Sequence, residues 1–110
     1  MVGFIAPDGG EFIVRRVDAG SEVLLELAGE LDLAGIGRLD EAARDLPAHG
    51  HVTIDMARLT FMDSSGIKAL MSIDLRSRAQ SCTLTLRAPQ PRVLKVLEMC
   101  GFHDRFEISP

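Results

Sequence analysis

The 110-residue sequence contains no tryptophan and no tyrosine, and only five phenylalanines. Proteins that bind single-stranded nucleic acids stack bases on aromatic side chains, and this chain offers few of them. Positive charge is also scarce: 12 Lys and Arg are outnumbered by 16 Asp and Glu, for a formal net charge of -4. A phosphate-binding surface needs clustered Lys and Arg. We therefore expect no nucleic-acid partner.

Cysteines and long apolar runs are few as well. Cys82 and Cys100 lie far apart and form no CxxC pair, which favours a reduced protein with two small buried side chains over a disulfide scaffold. The first ten residues lack the basic start and the apolar run of a signal peptide. No apolar segment approaches the roughly 20 residues that span a bilayer. We expect a cytoplasmic protein without a membrane span.

Motifs of catalysis and of cofactor binding are missing too. Asp40 stands where the third glycine of a GxGxxG loop would follow residues 35–37, and no P-loop pattern occurs. His49 and His51 form an isolated HxH that is more typical of solvated side chains than of a metal site. The DSSG sequence at 63–66 is not the GxSxG elbow of a hydrolase, and no histidine is identifiable as its base. We expect a non-enzymatic protein without a cofactor or a metal.

The hydrophobic pattern predicts alternating strands and helices. Residues 11–16 and 22–27 predict a hairpin, because the residues between them are typical of turns. From about residue 33, apolar residues recur at helical spacing until Pro47 and Gly50 end the segment. The further predicted elements are strands at 51–56 and 83–86, helices at 65–80 and from Pro91 to Gly101, and a short terminal segment at 106–109.

The predicted order is therefore β-β-α-β-α-β-α, followed by the short terminal segment. A hairpin followed by β-α-β units predicts an α/β fold, in which a small mixed β-sheet of about four to five strands carries α-helices packed against it. We expect residues 11–110 to form a single domain. Residues 1–10 end in Asp-Gly-Gly, and we expect them to form a loose N-terminal arm.

The sequence LTFMDSSGIKAL, residues 59–70, places two adjacent serines where a helix is predicted to begin. Asp63, Ser64 and Ser65 all have short polar side chains of the kind that cap helix N-termini. One capping side chain is usually enough, so a second hydroxyl would lie exposed at the helix tip. A modifying enzyme could reach that hydroxyl, and a phosphate on it would lie close to Asp63. Taken alone, the pattern favours a plain helix cap over a modification site.

The helix that follows the serines has a broad apolar side. Its apolar residues spread over roughly 200° of the circumference, wider than the ~100° stripe of an ordinary core-facing helix. This width fits either a deeply buried helix or a partner-binding face near the serines. Asp74 falls within the arc, and Arg78, four residues later, could pair with it. The apolar residues of the arc are Ile67, Leu70, Met71, Ile73 and Leu75.

Taken together, these segments resemble the STAS domain of anti-sigma factor antagonists. The resemblance runs from Phe12 to Phe106 and rests on GELD at 29–32, LTFMDSSGIKAL at 59–70 and PRVLKVLEMCGF at 91–102. The DSSG sequence is its most specific element. The resemblance implies a STAS-like mixed sheet with helices packed against it.

The resemblance also implies partner switching in bacterial transcription regulation. In that family the unphosphorylated antagonist binds an anti-sigma factor and so releases a sigma factor. The anti-sigma factor is a serine kinase related to histidine kinases, which phosphorylates its antagonist, and a metal-dependent serine phosphatase removes the phosphate. The resemblance implies Ser64 as the phosphorylated residue, leaves Ser65 as the better cap candidate, and places Asp32 near the acceptor. The expected partner-binding residues are Asp32, Asp63, Ser64, Ser65, Gly66, Ile67, Lys68 and Met71.

Two departures and several alternatives accompany this hypothesis. Many relatives continue beyond the equivalent of residues 106–109 into a further helix, and Lys68 occupies a position where relatives often have a small residue.

STAS-like modules also act as scaffolds in stress complexes, as small subunits of lipid-transport systems and as regulatory tails of anion transporters. A nucleotide or small-molecule sensor that binds its ligand near Ser64 and Ser65 is a further alternative.

Overall fold

The computed structural model describes residues 11–110, which form a five-stranded mixed sheet with three α-helices. The strands lie in chain order across the sheet; the first two pair antiparallel and the rest parallel. The predicted fold class is confirmed, and the predicted N-terminal arm lies outside the described residues. The elements are β1 (Ile13–Ala19), β2 (Glu22–Leu31), a 3₁₀ turn (Leu33–Gly35), α1 (Ile36–Ala42), β3 (His51–Met62), α2 (Ser64–Ala79), β4 (Thr83–Arg87), α3 (Pro91–Met99) and β5 (Glu107–Ser109).

One face of the sheet forms the core together with the helices. Val52, Ile54 and Met56 of β3 are fully buried, whereas Thr53 and Asp55 between them are partly exposed. This alternation is typical of a strand with one covered face. The apolar residues that the helices contribute to the core include Leu39 of α1, Ile67, Leu70 and Ile73 of α2, and Val93 and Leu97 of α3.

The strands β2 and β3 extend several residues beyond their predicted ends, to Leu31 and Met62. Ala57 and Arg58 of β3 are exposed in succession, and the pairing of the two strands shifts register twice in this region. Such irregularities break the period-2 pattern that identifies a strand in sequence. The extension matters for function because it carries both strands to the edge where the DSSG sequence begins.

Asp74, the acidic residue within the apolar arc of α2, is buried with two arginine partners. Its Oδ2 accepts hydrogen bonds from Nε of Arg78 at 3.0 Å and from Nε of Arg105 at 3.2 Å. The i,i+4 spacing indicates the pair with Arg78, whereas Arg105 is remote in sequence. Because a buried charge requires paired or hydrogen-bonded partners, these contacts account for an aspartate in this position. Arg105 lies just before β5, so the ion pair also joins the C-terminal segment to α2.

The prediction that both cysteines are buried is confirmed for Cys82 and wrong for Cys100. Cys82 is buried, and desolvation raises the pKa of its thiol above the ordinary value despite hydrogen bonds to the backbone. Cys100, in contrast, is the C-cap residue of α3 and is exposed. Because the thiolate is the nucleophilic form of cysteine, burial disfavours reactivity of Cys82 at neutral pH.

Candidate functional site

Asp32 and Asp63 lie side by side at the carboxyl edge of the parallel strands. Leu31 ends β2, Met62 ends β3, and these two residues are paired in register. The backbone N–H of Asp63 donates to the carbonyl of Leu31 at 3.4 Å, which continues the pairing by one residue. Because neighbouring strands are about 4.8 Å apart, the two aspartates share one small region of the surface.

Both aspartates are helix caps. Oδ1 of Asp63 accepts hydrogen bonds from the backbone N–H groups of Ser65 at 2.9 Å and of Gly66 at 3.3 Å. Oδ1 of Asp32 accepts from the N–H of Ala34 at 3.0 Å, at the start of the 3₁₀ turn. Backbone N–H groups in the first turn have no partner within the helix, and these carboxylates satisfy several of them.

The prediction that Ser65 caps α2 is therefore wrong. The cap is Asp63, and the helix begins at Ser64, one residue earlier than predicted. Since a carboxylate at position 63 reaches the free N–H groups of the first turn, neither serine hydroxyl is needed there. Ser64 is exposed, and its hydroxyl forms no hydrogen bond with any other residue of the segment 11–110; Ser65 is half-buried.

Two residues of the expected partner-binding set lie beneath the surface. Ile67 is 3% exposed and belongs to the core, and Gly66 is buried against the end of β3. A Cβ on Gly66 would lie 2.4 Å from Cγ of Met62, so the glycine permits the close packing of α2 onto the strand. In this conformation neither residue can offer a side chain to a partner. Ser64 and Lys68 are exposed, and Met71 is half-buried.

Leu33 is a surface residue that sequence reasoning missed. It directly follows Asp32, and 76% of it is exposed. A leucine placed just after the end of an apolar strand was the available signal, but the helical pattern that starts there concealed it. Large exposed apolar side chains beside polar groups are common where proteins bind partners. We call the set that follows the tip surface: Asp32, Leu33, Asp63, Ser64, Lys68 and Met71.

Replacement of the cap tests its assignment. We expect Asp63→Ala to lower the free energy of unfolding by about 1–2 kcal/mol, because the N–H groups of Ser65 and Gly66 lose their acceptor. Ser65→Ala is the matched control and should cost less than about 0.5 kcal/mol. Urea denaturation followed by circular dichroism measures both. If Ser65→Ala lowers the free energy of unfolding more than Asp63→Ala does, Ser65 and not Asp63 is the capping residue.

The remaining polar constellations of the sequence form no shared site. Nδ1 of His51 contacts the hydroxyl of Thr83 across two strands, whereas His49 lies in the preceding turn with a φ of 58°. Within residues 11–110, His, Cys, Asp and Glu side chains nowhere gather in a group of three that could hold a metal ion. None of the helices in that same range combines the length and the apolar character needed to cross a bilayer.

Several solved structures share this fold. An anti-sigma factor antagonist from Mycobacterium paratuberculosis superposes with a TM-score of 0.75 at 20% identity, covering 97% of this chain and 91% of that one. The anti-sigma factor antagonist SpoIIAA matches in its unphosphorylated form (TM-score 0.70, 23% identity, 91% and 89% covered). The phosphorylated form from Bacillus matches as well (TM-score 0.67, 21% identity, 91% and 92% covered). A sulfate transporter family protein from Wolinella succinogenes gives a TM-score of 0.72 at 18% identity, with 84% and 80% covered.

The family comparison agrees with the structural one. No curated protein matches the chain. The family model described as "Mlab, STAS domain", however, matches residues 14–109, which is nearly the whole length of the 110-residue chain. The match includes all five strands, apart from the first residue of β1, and the three helices. This chain therefore belongs to the STAS domain family.

Proposed function

We propose that this chain is an anti-sigma factor antagonist whose binding is ended by phosphorylation of Ser64. Its unphosphorylated form would bind an anti-sigma factor in the bacterial cytoplasm and so release a sigma factor for transcription. The observation that carries the proposal is the Ser64 hydroxyl, which is exposed at the first position of α2 and free of hydrogen bonds within residues 11–110. Asp63 caps the helix, so the hydroxyl of Ser64 is not needed for capping.

The surroundings of Ser64 suit a charge-operated switch. Asp63 precedes it in the chain, and Asp32 lies on the neighbouring strand end. A phosphoserine adds about -1.5 to -2 charges near neutral pH. On the tip surface, that charge would join two carboxylates already present. A partner suited to a neutral hydroxyl between those carboxylates would then meet a strongly anionic surface.

We also propose the classes of enzyme that add and remove the phosphate on Ser64. We infer that the anti-sigma factor is a histidine-kinase-like serine kinase and that a metal-dependent serine phosphatase reverses its action. One solved neighbour, SpoIIAA, is known in both unphosphorylated and phosphorylated forms, which supports phosphorylation as the modification. We infer no enzymatic activity for the chain itself. Residues 11–110 are inferred to act as a single domain.

Phosphorylation by candidate anti-sigma kinases tests the proposal. The full chain is incubated with each kinase and ATP, and the added phosphate is mapped by mass spectrometry. We expect one phosphate on Ser64, none in Ser64→Ala, and normal incorporation in Ser65→Ala, the matched control. Incorporation into Ser64→Ala at the level of the unmodified sequence would move the acceptor elsewhere and contradict the assignment.

A second candidate keeps the fold and changes the partner. The Wolinella neighbour is a sulfate transporter family protein, which favours a regulatory subunit of a transport system as the alternative. A pull-down from the native host with the unmodified chain separates the two candidates. Recovery of a kinase-like ATPase that depends on an unmodified Ser64 supports the antagonist. Recovery of transporter subunits, unaffected by Ser64→Asp, supports the alternative.

A further inference from the structure

Lys68 lies one helical turn after Ser64 on the same side of α2. Residues four apart on a helix are neighbours, with Cβ atoms about 5–6 Å apart, and both of these side chains are exposed. Lys68 is the only basic residue in the first two turns of the helix, residues 64–71. Its ammonium group forms no ion pair with any residue in the described range 11–110.

The two carboxylates of the tip surface accept hydrogen bonds from backbone N–H groups. Asp63 accepts from the backbone N–H groups of Ser65 and Gly66, and Asp32 accepts from that of Ala34. Asp63 also lies five residues before Lys68, a spacing that does not place the two side chains above one another on a helix. A phosphate on Ser64 would be the anion at the right spacing. An anion four residues before a cation is, moreover, the favourable order along a helix.

We propose, on the basis of the proposed phosphorylation of Ser64, that Lys68 pairs with the Ser64 phosphate within the domain. Phosphorylation then changes the tip surface twice. It adds a dianion, and it engages a lysine that has no ion pair within residues 11–110 of the unmodified domain. Lys68 is thus a positioning residue of the switch: it holds the phosphate along the exposed side of α2 and offsets the repulsion from Asp63 and Asp32.

A phosphorus NMR titration tests the pair without a kinase or a partner. Phosphoserine is installed at position 64 of the full chain during translation, and the ³¹P shift is followed from pH 4 to 9. A neighbouring cation favours the dianionic phosphate, so the midpoint of the second ionisation should lie roughly 0.2–0.4 pH units lower with Lys68 than with Lys68→Gln. Lys68→Arg should keep the low midpoint. Lys95→Gln, which removes an exposed lysine from α3, is the matched control and should leave the midpoint unchanged.

The outcomes separate this inference from the proposed function. Equal ionisation midpoints in Lys68→Gln and the parent phosphoprotein would overturn the pair. Equal rises of the midpoint in Lys68→Gln and Lys95→Gln would also overturn it, because they would indicate a general effect of net charge. A phosphoprotein that still binds the anti-sigma factor tightly would reject the proposed switch and leave the titration result untouched. The pair of Lys68 with the Ser64 phosphate is supported if the ionisation midpoint rises only in Lys68→Gln and stays low in Lys68→Arg.

Discussion

Phosphoserine at position 64 is expected to weaken binding to the anti-sigma factor by about 100- to 1,000-fold. Docking would strip water from a dianion that lies beside Asp63 and Asp32. The single charge of Lys68 offsets only part of it, so the cost is several kcal/mol unless the partner supplies a matching cation. Each ~1.4 kcal/mol corresponds to a factor of ten in affinity. Within the isolated domain, attraction to the helix N-terminus opposes repulsion by the two carboxylates. The fold should therefore survive a modification that blocks the interface.

Titration calorimetry with the unmodified and the genuinely phosphorylated chain measures this loss. The matched control is phosphoserine at Ser72, an exposed residue two turns further along the same helix. We expect phosphoserine at Ser72 to reduce the affinity by less than about tenfold, because it adds the same charge away from the tip surface. Equal affinities of the unmodified chain and the phospho-Ser64 chain would eliminate the switch. Equal losses of affinity for phosphoserine at Ser64 and at Ser72 would show that net charge, and not its position on the tip surface, controls binding.

Local sequence patterns predicted the fold because most elements keep a clear period. The alternation of Val52, Ile54 and Met56 with polar residues identified β3, and all three prove to be buried. The pattern failed where the backbone departs from regular pairing. At the register shifts between β2 and β3, successive residues such as Ala57 and Arg58 are both exposed, and the strand signal disappears. The last residues before the candidate site were therefore not predicted as strand.

The sequence names the residues of the candidate site but does not specify how they are arranged. Three consecutive residues, Asp63, Ser64 and Ser65, have similar capping preferences, and only the backbone geometry selects the first of them. The family resemblance placed Asp32 near the serines; the structure supplies the reason, because the paired strand ends bring Asp32 beside Asp63. Exposure of Ser64 follows from the cap at Asp63. Sequence spacing alone specifies neither of these facts.

Gly29, the first residue of GELD, should be the most sensitive backbone position near the site. Its φ is +88°, a region that side chains rarely adopt, and a Cβ there would lie 2.0 Å from the carbonyl oxygen of Glu11. We expect Gly29→Ala to lower the free energy of unfolding by about 2–5 kcal/mol, since backbone strain and a clash with main-chain atoms act together. Folded domains have about 5–15 kcal/mol in total. The variant should therefore be close to unfolding, as measured by urea denaturation.

Gly20 provides the control that separates strain from close contact. Its φ is +63°, but nothing lies within 4 Å of a Cβ built on it, so Gly20→Ala should cost only about 1–2 kcal/mol. Gly29 also adjoins the second register shift, after which Leu31 pairs with Met62 and the two aspartates come to lie together. If Gly29→Ala costs no more than Gly20→Ala, the approach of Glu11 does not hold this segment in place. A larger cost, with weaker anti-sigma binding in the fraction that still folds, would show that this glycine sets the position of Asp32.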